Sequence, residues 1–415
     1  MSKQIDVVVT GLGATTPLGG DVPSTWAAAL AGESGARTLE NDWAEKYQMP
    51  VNFAASIKVR PEEVLPRPEI KRMDPSAQYA VIAAREAWAD AGSPEVEPER
   101  LGVVVSSGIG GIWTTLEAWD TLREKGARRV LPMTVPMLMP NSPAAYVELE
   151  LGARAGAHAL VSACASGAEA IGYALEMIRS GRADVVVCGG TEATIHPMPI
   201  SAFAASRTLS LRNDDPQGAS RPYDVERDGF VIGEGAGIVV LENAEHAAAR
   251  GARVYARLAG QGLSADGYHL TSPEPEGRGQ IAAMRASLAD AGLTPSDVVH
   301  VNAHATSTVV GDLVEARSIR ATLGDAADGV ALSATKSMTG HLLGGAGALE
   351  SIFTILALHE RKAPPTINVS QPDPELTLDL VRDVPRDLPA TGQVAAINNS
   401  FGFGGHNVAL TFTTV

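Results

Sequence analysis

Cysteine is nearly absent from this chain: its 415 residues carry only Cys164 and Cys188. Two cysteines exclude a disulfide framework and suit a reducing compartment, so a cytoplasmic location is expected. No apolar run approaches the length of a membrane span, and no membrane partner is expected. Basic residues are outnumbered, 33 Lys and Arg against 48 Asp and Glu, for a net charge of −15. Such a balance disfavours nucleic acid, and an acidic partner would need a local basic patch. C-x-x-C spacing is missing, so metal binding is set aside and no metal or other cofactor is expected. The opening, M-S-K-Q-I-D-V-V-V-T-G, lacks the regions of a signal peptide.

What is present is a long, ordinary globular composition, 45% hydrophobic and 20% charged, too large for one core. Residues 5–9 read as a buried strand running into a tight loop over 10–20. Gly11 and Gly13 supply half of a dinucleotide fingerprint, but Thr16 holds the third glycine's place and Pro17 intervenes, so that cofactor is rejected. Ser24 and Ser76 are expected to cap helices over 26–30 and up to 91. Strands are expected at 103–105, 185–188 and 236–241, with Cys188 structural. Residues 119–125 read as helix, and 131–141 as a Met- and Pro-rich core or interface segment. Residues 196–230 read as one long irregular connection. The pattern then restarts, with strands at 254–258, 298–302, 330–333, 394–398 and 408–412 and helices at 280–291, 312–323 and 344–359. A-D-A-G at 89–92 recurs at 289–292, each time ending a helix ahead of a strand. Two similar α/β halves packed around a shared centre follow, residues 1–252 and 253–415.

The chemistry gathers at four stretches. V-S-A-C-A-S-G-A-E-A-I-G-Y-A-L-E-M-I-R-S-G, residues 161–181, sets Cys164 in a tight turn at a helix start. A lone cysteine is more often core. At a helix N-terminus, however, free N–H groups and the dipole favour a thiolate, and the small neighbours leave room for substrate. His304 lies in V-N-A-H-A-T-S-T, past a strand end, where α/β folds place ligands. His341 lies in K-S-M-T-G-H-L-L-G-G-A-G, after Lys336. Residues 399–407 form a glycine-rich loop around two phenylalanines. Together these suit acyl chemistry at a thiol, with imidazole N–H groups stabilising an enolate and backbone N–H groups an oxyanion. Read this far, the residues give a thiol-dependent α/β enzyme.

The motifs A-C-A-S-G, N-A-H-A-T-S-T-x-x-G-D, K-S-M-T-G-H-L-L-G-G-A-G and N-S-F-G-F-G-G resemble the elongating β-ketoacyl-[acyl carrier protein] synthases, closest to synthase II. The likeness runs nearly end to end. It implies a thiolase-like α/β fold, two duplicated halves in a five-layer αβαβα arrangement, and a homodimer. It implies decarboxylative condensation of malonyl-carrier protein with an acyl chain held on Cys164. His304 and His341 would serve decarboxylation, and Lys336 would hold the site with Glu350, supported by Asp312 and Glu315. The N–H groups of Cys164 and Phe403 would form the oxyanion hole. Phe401 and Phe403 would gate a pocket lined by Ile109 and Phe203. Thr271, Ser272, Thr306 and Thr308 would meet the phosphopantetheine arm, which the carrier protein brings. Lys71, Arg72, Arg128, Arg129 and Arg207 would dock that acidic carrier.

Two positions depart from the family pattern. Ala305 replaces a glycine, and its methyl is expected to tilt the loop or narrow the pantetheine channel; His406 stands where many members have threonine. A polyketide ketosynthase shares every residue named. A non-catalytic chain-length subunit is opposed by Cys164, a thiolase by the buried strand around Cys188, and a priming synthase by His341. A nucleotide-binding domain is opposed by the missing fingerprint.

Overall fold

In a computed structural model, described over residues 5–415, the chain forms one ten-stranded mixed sheet and two small two-stranded ones. The opening M-S-K-Q, part of the start read above, lies outside the described residues. The strands are β1 (Val7–Thr15), β2 (Leu101–Ser106), β3 (Ala157–His158), β4 (Val185–Glu192) and β5 (Gly235–Asn243), then β6 (Ala256–Ala265), β7 (Val298–Asn302), β8 (Ala331–Ser333), β9 (Ala395–Gly402) and β10 (His406–Thr413). Their order is β8-β7-β9-β10-β6-β1-β5-β4-β2-β3. Read outward from β1 and from β6, each group of five runs first, fifth, fourth, second, third. In each, the first two pairings are antiparallel and the last two parallel. The groups meet along a short antiparallel contact, Val8 opposite Arg257 and Val9 opposite Ala256.

Five helices build the layers: α1 (Pro75–Asp90), α2 (Ser166–Arg179), α3 (Arg278–Ala291), α4 (Val309–Leu323) and α5 (Ala346–His359). α2 and α5 share the central core, packed on strands of both groups. Ile171, Leu175 and Ile178 on α2 are fully buried. Every residue of α5 from Ala346 to Leu358 is buried, as expected of a helix enclosed on all sides. α1 covers one outer face, while α3 and α4 cover the other.

The duplication reaches single atoms. A Cβ on Gly13 would stand 1.9 Å from the Ala83 carbonyl of α1, and one on Gly262 would stand 1.9 Å from the Ala283 carbonyl of α3. Asp90 accepts the Leu12 N–H at 3.0 Å, and Asp290 accepts the Gln261 N–H at 3.0 Å. These aspartates belong to the two A-D-A-G copies.

Several boundaries differ from the sequence reading. T-G-L-G-A-T is strand, not loop, because its glycines let a helix backbone lie directly on β1. The first helix runs Val22–Leu30 and is capped by Asp21, which accepts the Ser24 N–H; Asp74 caps α1 in the same way through Ser76. Both serines lie inside the first turn and donate their N–H groups to those caps. Residues 196–230 contain a helix, Pro197–Ala205, with the His196 ring accepting the Met198 N–H at its start. The 399–407 stretch is mostly strand: β9 and β10 form a hairpin closed by Gly404 and Gly405 at positive φ. The helix begun at 119 extends over Ile112–Lys125. Among the described residues no helix is long and apolar enough to cross a membrane.

Candidate active site

Loops from both halves converge on a cavity of about 390 Å³. Cys164 stands at its floor, in a 3₁₀ turn over Ala163–Ala165 that leads into α2. Ala163 holds a left-handed backbone, φ +51°, a costly conformation for a residue with a Cβ. Gly402 makes room for the turn, since a Cβ there would come 2.5 Å from the Ser162 carbonyl and 3.2 Å from the Cys164 nitrogen. That close approach lets the hairpin point the Phe403 N–H at the Cys164 sulfur, which its own N–H also faces. Two converging N–H groups are the donor pair an oxyanion needs.

The thiol is not the resting thiolate that helix position alone suggests. Burial pushes it up to about 12, while the Lys336 charge and the two N–H groups pull it back only in part. Cys164 is 9% exposed, so loss of water outweighs a half-charge at one helix end.

His304 and His341 flank the sulfur side of the cavity, their rings edge to face with centroids 5.4 Å apart. His304 lies two residues past the end of β7, and Glu315 on α4 fixes its backbone by accepting the N–H of His304 at 2.8 Å and of Ala305 at 2.7 Å. Asn399 donates to the same carboxylate at 3.1 Å. Asp312, one turn earlier on α4, accepts the N–H groups of Tyr223 and Thr308 and faces Arg227. Burial lifts the Asp312 carboxyl to about 7 and raises Glu315 as well. His341 is held in a bridge, its N–H on the Val231 carbonyl at 2.8 Å and its carbonyl receiving the Gly233 N–H at 2.9 Å. Phe230 packs edge-on against the ring.

Lys336 is 1% exposed and pairs with Glu350, itself 2% exposed. Its ammonium also reaches the His304 carbonyl at 2.7 Å and lies 3.4 Å from His304 Nδ1. Burial pushes Glu350 up and Lys336 pulls it back down. Burial first, and the Lys336 charge second, hold both imidazoles well below the ordinary histidine range, so both are neutral. An ammonium can only donate, so His304 accepts at Nδ1 and keeps its proton on Nε2.

Phe401, Phe403, Phe203, Thr271, Ser272, Thr306, Thr308 and Arg207 all line this cavity. Ile109 does not; it stands 40% exposed on the loop after β2. Lys71, Arg72, Arg128 and Arg129 lie on exposed turns away from the lining, and none takes part in an ion pair among the described residues. The Ala305 methyl does not narrow the channel: it is buried in the apolar cluster behind His304. His406 lies exposed on β10. Cys188 is buried on β4 with its sulfur on the Val239 carbonyl. His300 and His304 stand four apart, a metal-binding spacing on a helix. Here they straddle a strand end, and the His300 ring meets the Ala331 carbonyl at 2.9 Å.

Sequence reasoning missed Glu192. This fully buried carboxylate ends β4 and accepts from Ser107 Oγ at 2.7 Å, Gly108 N at 2.9 Å and Gly344 N at 3.0 Å. Burial lifts it to about 7. The only local sign was a carboxylate in an otherwise apolar strand, A-D-V-V-V-C-G-G-T-E-A.

A buried thiol, two neutral imidazoles and a paired N–H donor on a duplicated α/β frame define an enzyme of thiol-based acyl transfer. Comparison with known proteins narrows the class. Residues 4–247 match the model described as "Beta-ketoacyl synthase, N-terminal domain" and residues 255–370 that of its C-terminal domain. The chain is 47% identical over 415 residues to the 3-oxoacyl-[acyl-carrier-protein] synthase 2 of Staphylococcus aureus strain MRSA252, covering 99% of each chain. To the enzyme of the same name from Mycobacterium bovis it is 45% identical, covering 98% of this chain and 96% of that one. Its fold matches a β-ketoacyl synthase from Burkholderia phymatum with a TM-score of 0.90 at 36% identity, over 99% of this chain and 100% of that one. A type II polyketide ketosynthase solved with its acyl-carrier protein matches at 0.91 and 32%, over the whole of both chains. The chain belongs to the β-ketoacyl synthase family, with the thiolase-like fold of its structural neighbours.

Proposed function

We propose that this enzyme elongates acyl chains by two carbons, condensing malonyl-[acyl carrier protein] with an acyl group carried on Cys164. The observation that carries the reading is the convergence of Cys164, His304 and His341 on one cavity. First, the Cys164 sulfur attacks the thioester of an acyl-carrier protein. The C–S bond to the phosphopantetheine arm breaks, and the departing thiolate takes the proton that Cys164 gives up. The transient oxyanion sits at the N–H groups of Cys164 and Phe403. A malonyl thioester then enters with its carbonyl oxygen between the imidazoles. Its carboxylate leaves as CO₂, and the electron pair of the broken C–C bond becomes an enolate stabilised by imidazole N–H donors. Neutral rings suit this role, because they donate without trapping the enolate as an enol. The enolate carbon attacks the acyl-Cys164 carbonyl, the C–S bond breaks, and the released Cys164 thiolate takes a proton from solvent.

Phosphopantetheine arrives on the partner, through a mouth lined by Thr271, Ser272, Thr306 and Thr308. No further cofactor is required by this chemistry. Lys71, Arg72, Arg128, Arg129 and Arg207 dock the acidic carrier, a reading supported by their exposure and freedom from ion pairs among the described residues. The protein works as a homodimer in the cytoplasm. Supporting the dimer, Trp119, Leu122, Leu131 and Val135 expose apolar surface along one segment, and β3 leaves one edge of the sheet unpaired.

The polyketide neighbour favours a second reading, the same condensation on a polyketide chain. Turnover with malonyl-carrier protein and saturated acyl donors, read as a β-ketoacyl product two carbons longer, tests the first. Turnover with polyketide intermediates alone would replace it with the second.

A further inference from the structure

Glu192 is a buried carboxylate without a cation. No ion pair includes it among the described residues, and its charge is met by hydrogen bonds alone. Every donor comes from one of two loops. Ser107 Oγ and the Gly108 N–H come from the loop after β2, and the Gly344 N–H comes from the turn that follows His341. Ser107 passes the contact on, accepting the Gly110 N–H at 2.8 Å.

Packing leaves this clamp no slack. A Cβ on Gly108 or on Gly344 would stand 2.8 Å from Glu192 Oε2, and one on Gly344 only 2.3 Å from the Gly108 nitrogen. Gly108 in turn touches the nucleophile turn, where its Cβ would lie 3.2 Å from the Ala163 carbonyl. Two non-glycine residues near the reacting groups hold left-handed backbone, Ala163 at φ +51° beside Cys164 and Leu343 at φ +47° after His341. Strained turns persist where their surroundings over-determine them, and Glu192 is the side chain that meets both surroundings. A shift of the Ser107–Gly108 loop, which touches the Cys164 turn, therefore moves the Gly344 N–H through one carboxylate.

We propose that Glu192 is a positioning residue that couples the two half-reactions, transmitting occupancy of the acyl side at Cys164, through the contact of Gly108 with Ala163, to the His341 turn. This rests on the condensing reading above. Filling the acyl side should change how well His341 meets the malonyl carbonyl, and a loosened clamp should remove that dependence.

The test measures CO₂ release from malonyl-carrier protein by two forms of each enzyme. One is free; the other has Cys164 alkylated by N-octyl iodoacetamide, which lays a chain along the acyl side. The wild type should show capped and free rates that differ by about tenfold. Glu192→Gln keeps the shape without the charge, and Ser107→Ala cuts only the acyl-side arm. Both should bring the ratio close to one, each ratio being taken within one enzyme once intact mass shows Cys164 fully alkylated. A merely structural role would lower both rates together and leave the ratio unchanged. A wild-type ratio of one, or an unchanged ratio in both variants, overturns the proposal. Should Glu192→Gln fail to fold, Ser107→Ala decides alone. Absence of any CO₂ release or acyl adduct in the wild type would instead overturn the condensing reading, and this proposal with it.

Discussion

The Lys336 ammonium lies 3.4 Å from Nδ1 of His304 and donates to the carbonyl of the same residue at 2.7 Å. One buried cation thus sets both the ring's tautomer and its backbone, while Glu350 balances the charge. Lys336→Ala should abolish CO₂ release and, by stranding Glu350, cost about 3–5 kcal/mol of stability. Lys336→Met with Glu350→Leu should recover most of the stability and none of the decarboxylation. Denaturant midpoints and CO₂ assays on the same preparations separate the two effects; restored release in the double variant would remove Lys336 from the chemistry.

The raised Cys164 thiol sets a pH signature. With the thiol pushed up to about 12, the thiolate fraction at rest should grow about tenfold per pH unit. Iodoacetamide inactivation should therefore climb without a plateau between about pH 7 and 10. A plateau near neutrality would mean that the thiolate already exists at rest.

The imidazoles give the opposite sign. Both are held well below the ordinary range, so protonation begins only at more acid pH. In an NMR titration neither ring should take up a proton as pH falls through about 6.5, the value of an unperturbed histidine. Protonation there would show a solvated ring.

How much of this could be read from the sequence follows from the range of each interaction. Cys164 and the two histidines lie at strand ends and turns with distinctive local spelling, so the residues that meet in one cavity were legible. So was the duplication, because A-D-A-G carries the aspartates that repeat one hydrogen bond in each half. Glu192 was not legible, since its partners lie 85 and 152 residues away. The Gly11–Gly13 stretch was misread as loop for the same reason: its glycines answer to α1, some 70 residues on in the chain. The resting thiol was misjudged because a dipole is visible in sequence and burial is not.

The repeated glycine contacts are testable as a pair. Gly13→Ala and Gly262→Ala would each drive a Cβ into a helix carbonyl. Each should destabilise the fold by about 1–3 kcal/mol or more. Denaturant midpoints that match wild type for either one would dissolve the equivalence of the two halves.

Arg128 and Arg129 are exposed beside the helix Ile112–Lys125 and unpaired among the described residues. Replacing both with Glu should raise the KM for carrier protein several-fold, leave kcat near wild type, and flatten the salt dependence. An unchanged KM would reduce them to ordinary surface charge.

The most direct test of the central claim is intact-mass analysis of wild type and Cys164→Ala after exposure to a medium-chain acyl-carrier protein, then malonyl-carrier protein. The account predicts one acyl adduct on the wild type that disappears as β-ketoacyl product forms, and none on Cys164→Ala. An adduct on the variant, or product formed without Cys164, would contradict it.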